Sequence, residues 1–169
     1  LINLGLNEFR KNDMEEFNDN ILITHKEYKR IDLQILLDSK VPKGTWRAGY
    51  ANTEKDICLF ITNDKSHIMQ ENLKYDNSLH SDEIIQWISQ PKTYHSSSVG
   101  QMFIKHREKQ MKVHIFARKY AFMNGNKTNP FIYLGQADYY RSFGDKPMTI
   151  LWKLRRKLPQ ELIQELYKL

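Results

Sequence analysis

The sequence predicts an α+β domain built on a small, partly open β-barrel with flanking helices. About six segments rich in β-branched and aromatic residues follow one another at short spacing, and only a few segments have helical periodicity. The chain has 169 residues, 40% of them hydrophobic, which is enough for one domain with a real core. Its longest apolar run is five residues, Ile57 to Ile61, whereas a membrane-spanning helix needs roughly 20.

The N-terminal segment is predicted to be helical. Thr24 and Glu27 have the spacing of a capping box, in which both side chains accept hydrogen bonds from the first free N–H groups of a helix. Residues 41–44 contain a proline and a glycine, which end this helix. We therefore predict a helical leader over residues 1–40, connecting to upstream domains, and a β-barrel domain over residues 41–169.

A hairpin is predicted to open the barrel. Residues 45–51 and 57–63 are rich in strand-forming residues, and the polar residues 52–56 between them suit a turn. Trp46 and Tyr50 are four residues apart in the first strand. Because side chains alternate along a strand, we expect these two rings on the same face of the sheet.

Two short helices and a strand are predicted to follow. Ser81 is a candidate N-cap for a helix that carries apolar residues at positions 84, 85 and 88. The serine cluster at 96–98 is a candidate cap for a second helix that ends near His106. Alternating apolar residues predict a strand over 112–120.

The C-terminal part is predicted to supply three more strands and a final helix. The strands cover residues 131–136, 137–143 and 148–154, and a Gly-Asp-Lys-Pro turn precedes the last of them. Pro159 suits the first turn of a helix that continues over residues 160–167.

Charge is distributed unevenly along the chain. The net charge is +6, but residues 1–39 carry a net −3 and residues 40–169 a net +9. A basic body behind a mildly acidic leader favours nucleic acid as a partner. The alternative interpretation is a solubilising surface without a specific partner.

The single cysteine, Cys58, excludes an intramolecular disulfide and any zinc site with several cysteine ligands. The chain begins with Leu1 rather than methionine, so we expect a fragment of a longer, cytoplasmic protein.

Catalytic motifs are incomplete in this sequence. Residues 44–49 have the glycine spacing of a phosphate loop, but Tyr50-Ala51 follows where Lys and Ser/Thr are needed. Glu27 and Lys29 have the spacing of an E-x-K nuclease motif, yet they lie on a predicted helix. One cysteine cannot supply the ligand set of a zinc deaminase. We therefore expect a domain that is not an enzyme and that holds no metal.

Aromatic residues beside polar and basic ones indicate a binding surface. Trp46, Arg47 and Tyr50 share a predicted strand, and Trp87 lies just before Ser89-Gln90. An aromatic ring stacks on a base with roughly 1–3 kcal/mol. The competing interpretation is that these rings belong to the core. Six basic residues are candidate contacts to a DNA backbone: Arg47, Lys65, Lys92, Lys105, Arg118 and Lys119.

Seven blocks of the sequence, in order, resemble one bacterial domain family. The blocks are YKRI at 28–31, LFITNDKS at 59–66, QWISQ at 86–90, GQMFI at 100–104, IFAR at 115–118, PFIYLGQADY at 130–139 and PMTILWKL at 147–154. They resemble the domain of unknown function at the C-terminal end of proteins that also carry a phospholipase D-like nuclease and a superfamily 2 helicase. The chain departs from that family at residues 46–50, where Gly-Val is usual.

The resemblance implies an SRA-like, PUA-related barrel that recognises 5-methylcytosine and 5-hydroxymethylcytosine in double-stranded DNA. It also implies that this domain is the target-recognition part of a modification-dependent (type IV) restriction enzyme. ATP, magnesium and the nuclease chemistry would then belong to the helicase and nuclease domains of the parent chain. The domain itself would need no cofactor, and its partners would be modified DNA and those two domains.

Base flipping is the expected mode of recognition, because it encloses the whole modified base. One buried methyl group contributes only ~0.8 kcal/mol, so shape exclusion or a polar network must add to it. The candidate base-binding residues are three aromatic residues, two aspartates and two polar residues of one loop: Trp46, Tyr50, Trp87, Asp64, Asp138, Ser89 and Gln90. Two of the rings would sandwich the base. Asp64, or else Asp138, would accept a hydrogen bond from the cytosine amino group, and Ser89 or Gln90 would contact the other polar edge.

Two other classes of function stay open. A protein-interaction module that docks on the helicase would show little DNA affinity at moderate salt. A clamp for single-stranded nucleic acid would prefer unpaired strands and would ignore methylation.

Overall fold

The computed structural model describes residues 22–37, 46–63 and 79–167, and these contain seven strands and three helices. The strands are β1 (Glu27–Tyr28), β2 (Tyr50–Asn52), β3 (Asp56–Thr62), β4 (Ile84–Ile88), β5 (Lys112–Arg118), β6 (Phe131–Phe143) and β7 (Thr149–Leu154). The helices are α1 (Arg30–Leu36), α2 (Ser98–Ile104) and α3 (Gln160–Tyr167).

All seven strands form one sheet that does not close into a barrel. Its order is β2-β3-β5-β6-β7-β4, and β1 pairs with the start of β6. The predicted α+β class is therefore confirmed, and the predicted partly open barrel is a sheet that stays unclosed. Neighbouring strands are antiparallel except β3 and β5, which are parallel, with Thr62 opposite Arg118. The carboxyl ends of β3 and β5 therefore lie at the same edge of the sheet.

The sheet is buried on both faces. Ile57, Leu59 and Ile61 of β3 belong to the larger core, which α2 and α3 cover. Cys58 and Phe60 of the same strand point to a second core that includes Leu33 of α1. Because β3 is buried on both faces, its sequence is a continuous apolar run rather than an alternating one.

Several local predictions are confirmed. The predicted hairpin forms between β2 and β3, and Ser97 caps α2 by accepting a hydrogen bond from the Gly100 N–H at 3.1 Å. Helix α3 starts directly after Pro159. The two strands predicted at 131–136 and 137–143 are one continuous strand, β6, because its ladders with β5 and β7 continue past a register shift in each.

The helix predicted at Ser81 is wrong, because residues 84–88 form strand β4. The Ser81 hydroxyl does accept N–H hydrogen bonds, from Glu83 at 3.3 Å and Ile84 at 3.0 Å, but these close a turn. The apolar residues of this segment fit either a helix or a strand, and the antiparallel ladder with β7 decides for the strand.

The capping box predicted at Thr24 is also wrong. His25 has a φ of 69°. The segment then pairs with β6, since the His25 N–H donates to the Tyr133 carbonyl at 2.7 Å. Helix α1 begins only at Arg30, where the Asp32 carboxylate accepts from the Lys29 N–H at 2.8 Å. Residues 22–37 thus pack on the same sheet as the rest, and the domain boundary predicted at residue 40 lies outside the described residues.

The predicted first strand of the hairpin is shorter in the structure. Trp46 lies in a turn before β2, and this turn is fixed by the Arg30 side chain, which donates to the Trp46 and Ala48 carbonyls. Trp46 belongs to the second core, whereas Tyr50 packs against the larger one. The prediction that the two rings share a face is therefore wrong, since the chain is not an extended strand between them.

A buried chain of polar groups crosses the second face of the sheet. His114 is fully buried, and its Nε2 lies 2.8 Å from an Asp56 carboxylate oxygen. Its Nδ1 lies 2.8 Å from the Tyr133 hydroxyl. Burial alone would raise the pKa of Asp56, but the hydrogen bond from His114 and the charges of His114 and Lys112 lower that pKa below its usual value.

Asp56 is therefore expected to stabilise the fold in a pH-dependent way. A carboxyl whose pKa is lowered by folding adds stability above its unfolded pKa of about 4, and this stability is lost as the pH falls through the folded pKa. At pH 7 the free energy of unfolding of the Asp56→Asn variant should be about 1–3 kcal/mol lower than that of the wild type, as measured by urea denaturation. The difference in unfolding free energy between the variant and the wild type should decrease below about pH 4. Glu54→Gln, an exposed carboxylate in the same turn, is the control; a difference that does not change with pH contradicts this role of Asp56.

Candidate nucleic-acid interface

An open cavity of about 140 Å³ lies at the edge of the sheet where β3 and β5 end. It is lined by the end of β5 and the residues just after it, the start of β6, Glu27 of β1 and the end of α3. A cavity of roughly 150 Å³ holds one benzene ring. The cavity is therefore of a suitable size for one six-membered ring.

The walls of the cavity are fixed by hydrogen bonds between different elements. The Asn63 side-chain amide donates to the Leu166 carbonyl at 2.8 Å, and the Asn63 N–H donates to the Arg118 carbonyl at 3.0 Å. These two bonds hold the end of α3 against the ends of β3 and β5. Arg118 in turn donates from Nε to the Thr62 hydroxyl and from Nη1 to the Asn129 carbonyl, both at 2.9 Å.

The lining combines three kinds of side chain. Arg118 and Lys119 supply positive charge and N–H donors. Glu27 and Glu165 supply carboxylate acceptors, which suit an amino group such as that of cytosine. Apolar surface comes from the side chains at positions 130, 132 and 166. Such a lining can contact the polar edge of a pyrimidine and also its methyl group.

A short hairpin loop, residues 120–129, projects beside the cavity. The Asn129 N–H donates to the Ala121 carbonyl and the Met123 N–H to the Lys127 carbonyl, each at 2.9 Å, and Gly125 turns the chain at a φ of 83°. This β5–β6 hairpin loop exposes three large side chains: Tyr120, Phe122 and Met123. Tyr120 and Asn129, at its two ends, both line the cavity.

Two of the predicted base-binding rings are buried. Trp46 packs edge-on against Phe60 in the second core, and Trp87 lies in the larger core. Tyr50 meets Trp87 at a centroid distance of 6.4 Å and an angle of 89°, which leaves no slot for a base between them. A sandwich of these rings stays a prediction, and it requires ring faces that the structure covers with protein.

Three other predicted base-binding residues, Ser89, Gln90 and Asp138, do not line the cavity. Ser89 is buried, and its hydroxyl accepts from the Met148 N–H at 2.9 Å, which joins the end of β4 to β7. Gln90 follows it and lies beside Gly49. Asp138 is held by two arginines: Arg107 at 2.7 Å and Arg155 at 3.2 Å. Asp64 lies outside the described residues.

The described candidates for contacts to the DNA backbone lie in several parts of the fold. Arg118 and Lys119 line the cavity. Arg47, Lys92 and Lys105 are exposed on other parts of the chain, and Lys65 lies outside the described residues.

Sequence reasoning missed the β5–β6 hairpin loop and the carboxylates of the cavity. The loop does carry a local signal, since Asn124-Gly125 is a dipeptide that favours tight turns. Glu27 and Glu165 carry none, because 138 positions separate them in the chain.

The described residues contain neither a metal-binding cluster nor a membrane-spanning helix. Within 22–37, 46–63 and 79–167, no three His, Cys, Asp or Glu side chains come together as a metal site. No helix in this part of the chain is long and apolar enough to cross a membrane.

Comparison with known proteins shows the family of the chain and a similarity to a solved structure. A family model described as "Domain of unknown function (DUF3427)" matches residues 22–166. No curated protein matches the chain. Among solved structures, the chain is similar to one from the crystal structure of Arabidopsis thaliana SUVH6 in complex with SAM, with 16% sequence identity and a TM-score of 0.49. The similarity covers 82% of this chain and 27% of the SUVH6 chain.

Proposed function

The chain belongs to the DUF3427 family of domains of unknown function, and we propose that it recognises 5-methylcytosine or 5-hydroxymethylcytosine in double-stranded DNA. The modified base is flipped out of the duplex into the cavity between the β5–β6 hairpin loop and the end of α3. One observation carries this proposal: a cavity that fits one six-membered ring lies directly beside an exposed apolar hairpin loop.

The energetics of flipping explain why both features are needed. Extruding a base costs a few kcal/mol of lost stacking and pairing. Proteins that distort DNA often insert apolar side chains between base steps. Phe122 and Met123 are exposed and can be inserted in this way. Inside the cavity, Glu27 or Glu165 accepts a hydrogen bond from the amino group, and Ile132 contacts the methyl group. Basic side chains along the edge attract the phosphate backbone.

We further propose that this domain is the non-catalytic, target-recognition part of a cytoplasmic type IV restriction enzyme such as SauUSI. The sequence resemblance to domains that accompany a phospholipase D-like nuclease and a helicase supports this proposal. ATP hydrolysis and DNA cleavage then take place in other domains of the parent chain.

Tyr120 provides the first test of the cavity. The Tyr120→Ala variant should bind a duplex with one central 5-methylcytosine about tenfold more weakly than the wild type, because the ring at the mouth of the cavity no longer stacks on the base. Fluorescence anisotropy measures the two affinities. Tyr94→Ala is the matched control, since Tyr94 is 39% exposed against 43% for Tyr120 and lies on the loop between β4 and α2.

The control variant should keep the wild-type affinity. An equal loss in both variants points to a general effect of exposed aromatic residues, and wild-type affinity in Tyr120→Ala contradicts the assignment of this cavity to the base.

A second candidate function is docking on another protein domain. Helix α1 exposes Ile31 and Ile35, which are four residues apart and therefore lie on one face. If the chain binds no DNA, docking through this apolar face becomes the favoured function.

A further inference from the structure

Two arginines from different elements lie against one aromatic ring. The guanidinium carbon of Arg30, on α1, is 5.1 Å from the centroid of Phe131, and that of Arg118, on β5, is 4.1 Å from the same centroid. Arg30 also lies 4.2 Å from the centroid of Phe60. Both positive charges thus lie against the Phe131 ring at the start of β6, and Arg118 also lines the cavity.

Both guanidinium groups are fixed in place but keep unused donors. To the described residues, Arg30 donates from Nη1 alone, and its acceptors are the carbonyls of Trp46 and Ala48. Arg118 donates from Nε to a hydroxyl and from Nη1 to a carbonyl, and neither of these acceptors is a carboxylate. Each guanidinium has five N–H donors, so both groups have N–H groups that no described residue accepts. Neither arginine forms an ion pair with a described carboxylate.

Two half-buried guanidinium groups repel each other when neither forms an ion pair with a described carboxylate. Burial and the charge of Arg118 lower the pKa of Arg30 to about 10, and burial lowers the pKa of Arg118 as well. An anion that binds both groups offsets this repulsion and accepts hydrogen bonds from their remaining N–H groups. A phosphate group suits the site best, because its oxygens match the planar fork of a guanidinium.

We propose that Arg30 and Arg118 form a phosphate-binding site. Resting on the proposed function, the occupant is a backbone phosphate of the strand whose base enters the cavity, because Arg118 contributes to both places. The site then fixes the DNA backbone at the mouth of the cavity while the base is turned inward. It binds modified and unmodified DNA alike, since a phosphate carries no information about the base.

The first arm of the test uses inorganic phosphate and no DNA. Adding 50 mM phosphate in place of chloride at equal ionic strength should raise the Tm of the 169-residue chain by about 2 °C or more. The Arg30→Gln and Arg118→Gln variants should lose most of this shift. Arg141→Gln is the matched control, because Arg141 also lies over a ring, at 5.7 Å from the centroid of Tyr140, and is remote in the fold.

The second arm uses DNA and its salt dependence. Each lost phosphate contact lowers the slope of log affinity against log salt by about 0.9. Arg30→Gln and Arg118→Gln should each lower that slope by about this amount and weaken binding to modified and unmodified duplexes by the same factor. Arg141→Gln should leave the slope unchanged. Circular dichroism checks that each variant is folded, because Arg30 also holds the turn at Trp46.

The two arms separate this site from the proposed function. If the chain binds no DNA while the phosphate shift depends on both arginines, the site stands as a site for free phosphate and the proposed function fails. If the chain prefers modified DNA while all variants keep the wild-type slope and the phosphate shift, the arginine site is overturned.

Discussion

Replacing Gly100 with alanine is expected to destabilise the domain by about 3 kcal/mol. A Cβ atom at this position would lie 2.2 Å from the Tyr94 carbonyl oxygen and 3.0 Å from that of His95, and both of these atoms belong to the backbone. It would also lie 3.1 Å from the Met148 sulfur. Because α2 packs this closely on the loop before it, the backbone itself must shift to admit a methyl group. Thermal unfolding should show a Tm about 6–12 °C below that of the wild type.

Gly49→Ala is the control for this effect. Among the described residues, its added Cβ meets only the end of the flexible Gln90 side chain, at 3.4 Å, so its Tm should stay close to the wild-type value. Equal Tm values for Gly100→Ala and the wild type would contradict the close contact between α2 and the preceding loop.

Replacing Phe122 with alanine is expected to weaken binding to a duplex with one 5-methylcytosine by about tenfold or more. On the proposed function, the Phe122 ring fills the gap that the flipped base leaves, and this contact offsets the cost of unstacking. Fluorescence anisotropy measures the affinity. A 2-aminopurine next to the target cytosine reports the flipping step, because its fluorescence rises when its neighbour leaves the stack; this rise should be smaller with the variant.

Phe143→Ala is the matched control for Phe122→Ala. Both rings are 55% exposed, but Phe143 lies at the far end of β6, paired with Thr149. A loss of affinity with Phe143→Ala and none with Phe122→Ala would show that the β5–β6 hairpin loop is not the element that enters the duplex.

Local signals in the sequence predicted much of the fold. Three correctly predicted features depend on residues that are close in the chain, so their sequence patterns are sufficient to predict them. These are the Ser97 cap, the β2–β3 turn and the helix start after Pro159. Strand β4 could not be predicted this way, because its type depends on pairing with β7, more than 60 residues further on. The start of α1 was misplaced for the same reason, since β6 competes for the backbone of His25 and Lys26.

The candidate site was harder to predict than the fold. Trp46 and Trp87 are the kind of side chain that stacks on a base. However, the alternation of side chains along a strand does not tell which of two buried faces a ring will occupy. The cavity joins Glu27, the region around Arg118 and Glu165, which meet only because β3 and β5 are parallel and α3 folds back on their ends. Charge alone identified Arg118 and Lys119 as candidate DNA contacts, but it did not predict that they lie beside a cavity.

The most direct test of the proposed function compares three duplexes in one titration. They differ only in a central cytosine, which is unmodified, 5-methylated or 5-hydroxymethylated, and fluorescence anisotropy at ~150 mM salt measures their affinities for the chain. We expect at least tenfold tighter binding to a modified duplex than to the unmodified one. Equal affinity for all three would contradict recognition of a modified base and would reduce the domain to a general DNA contact.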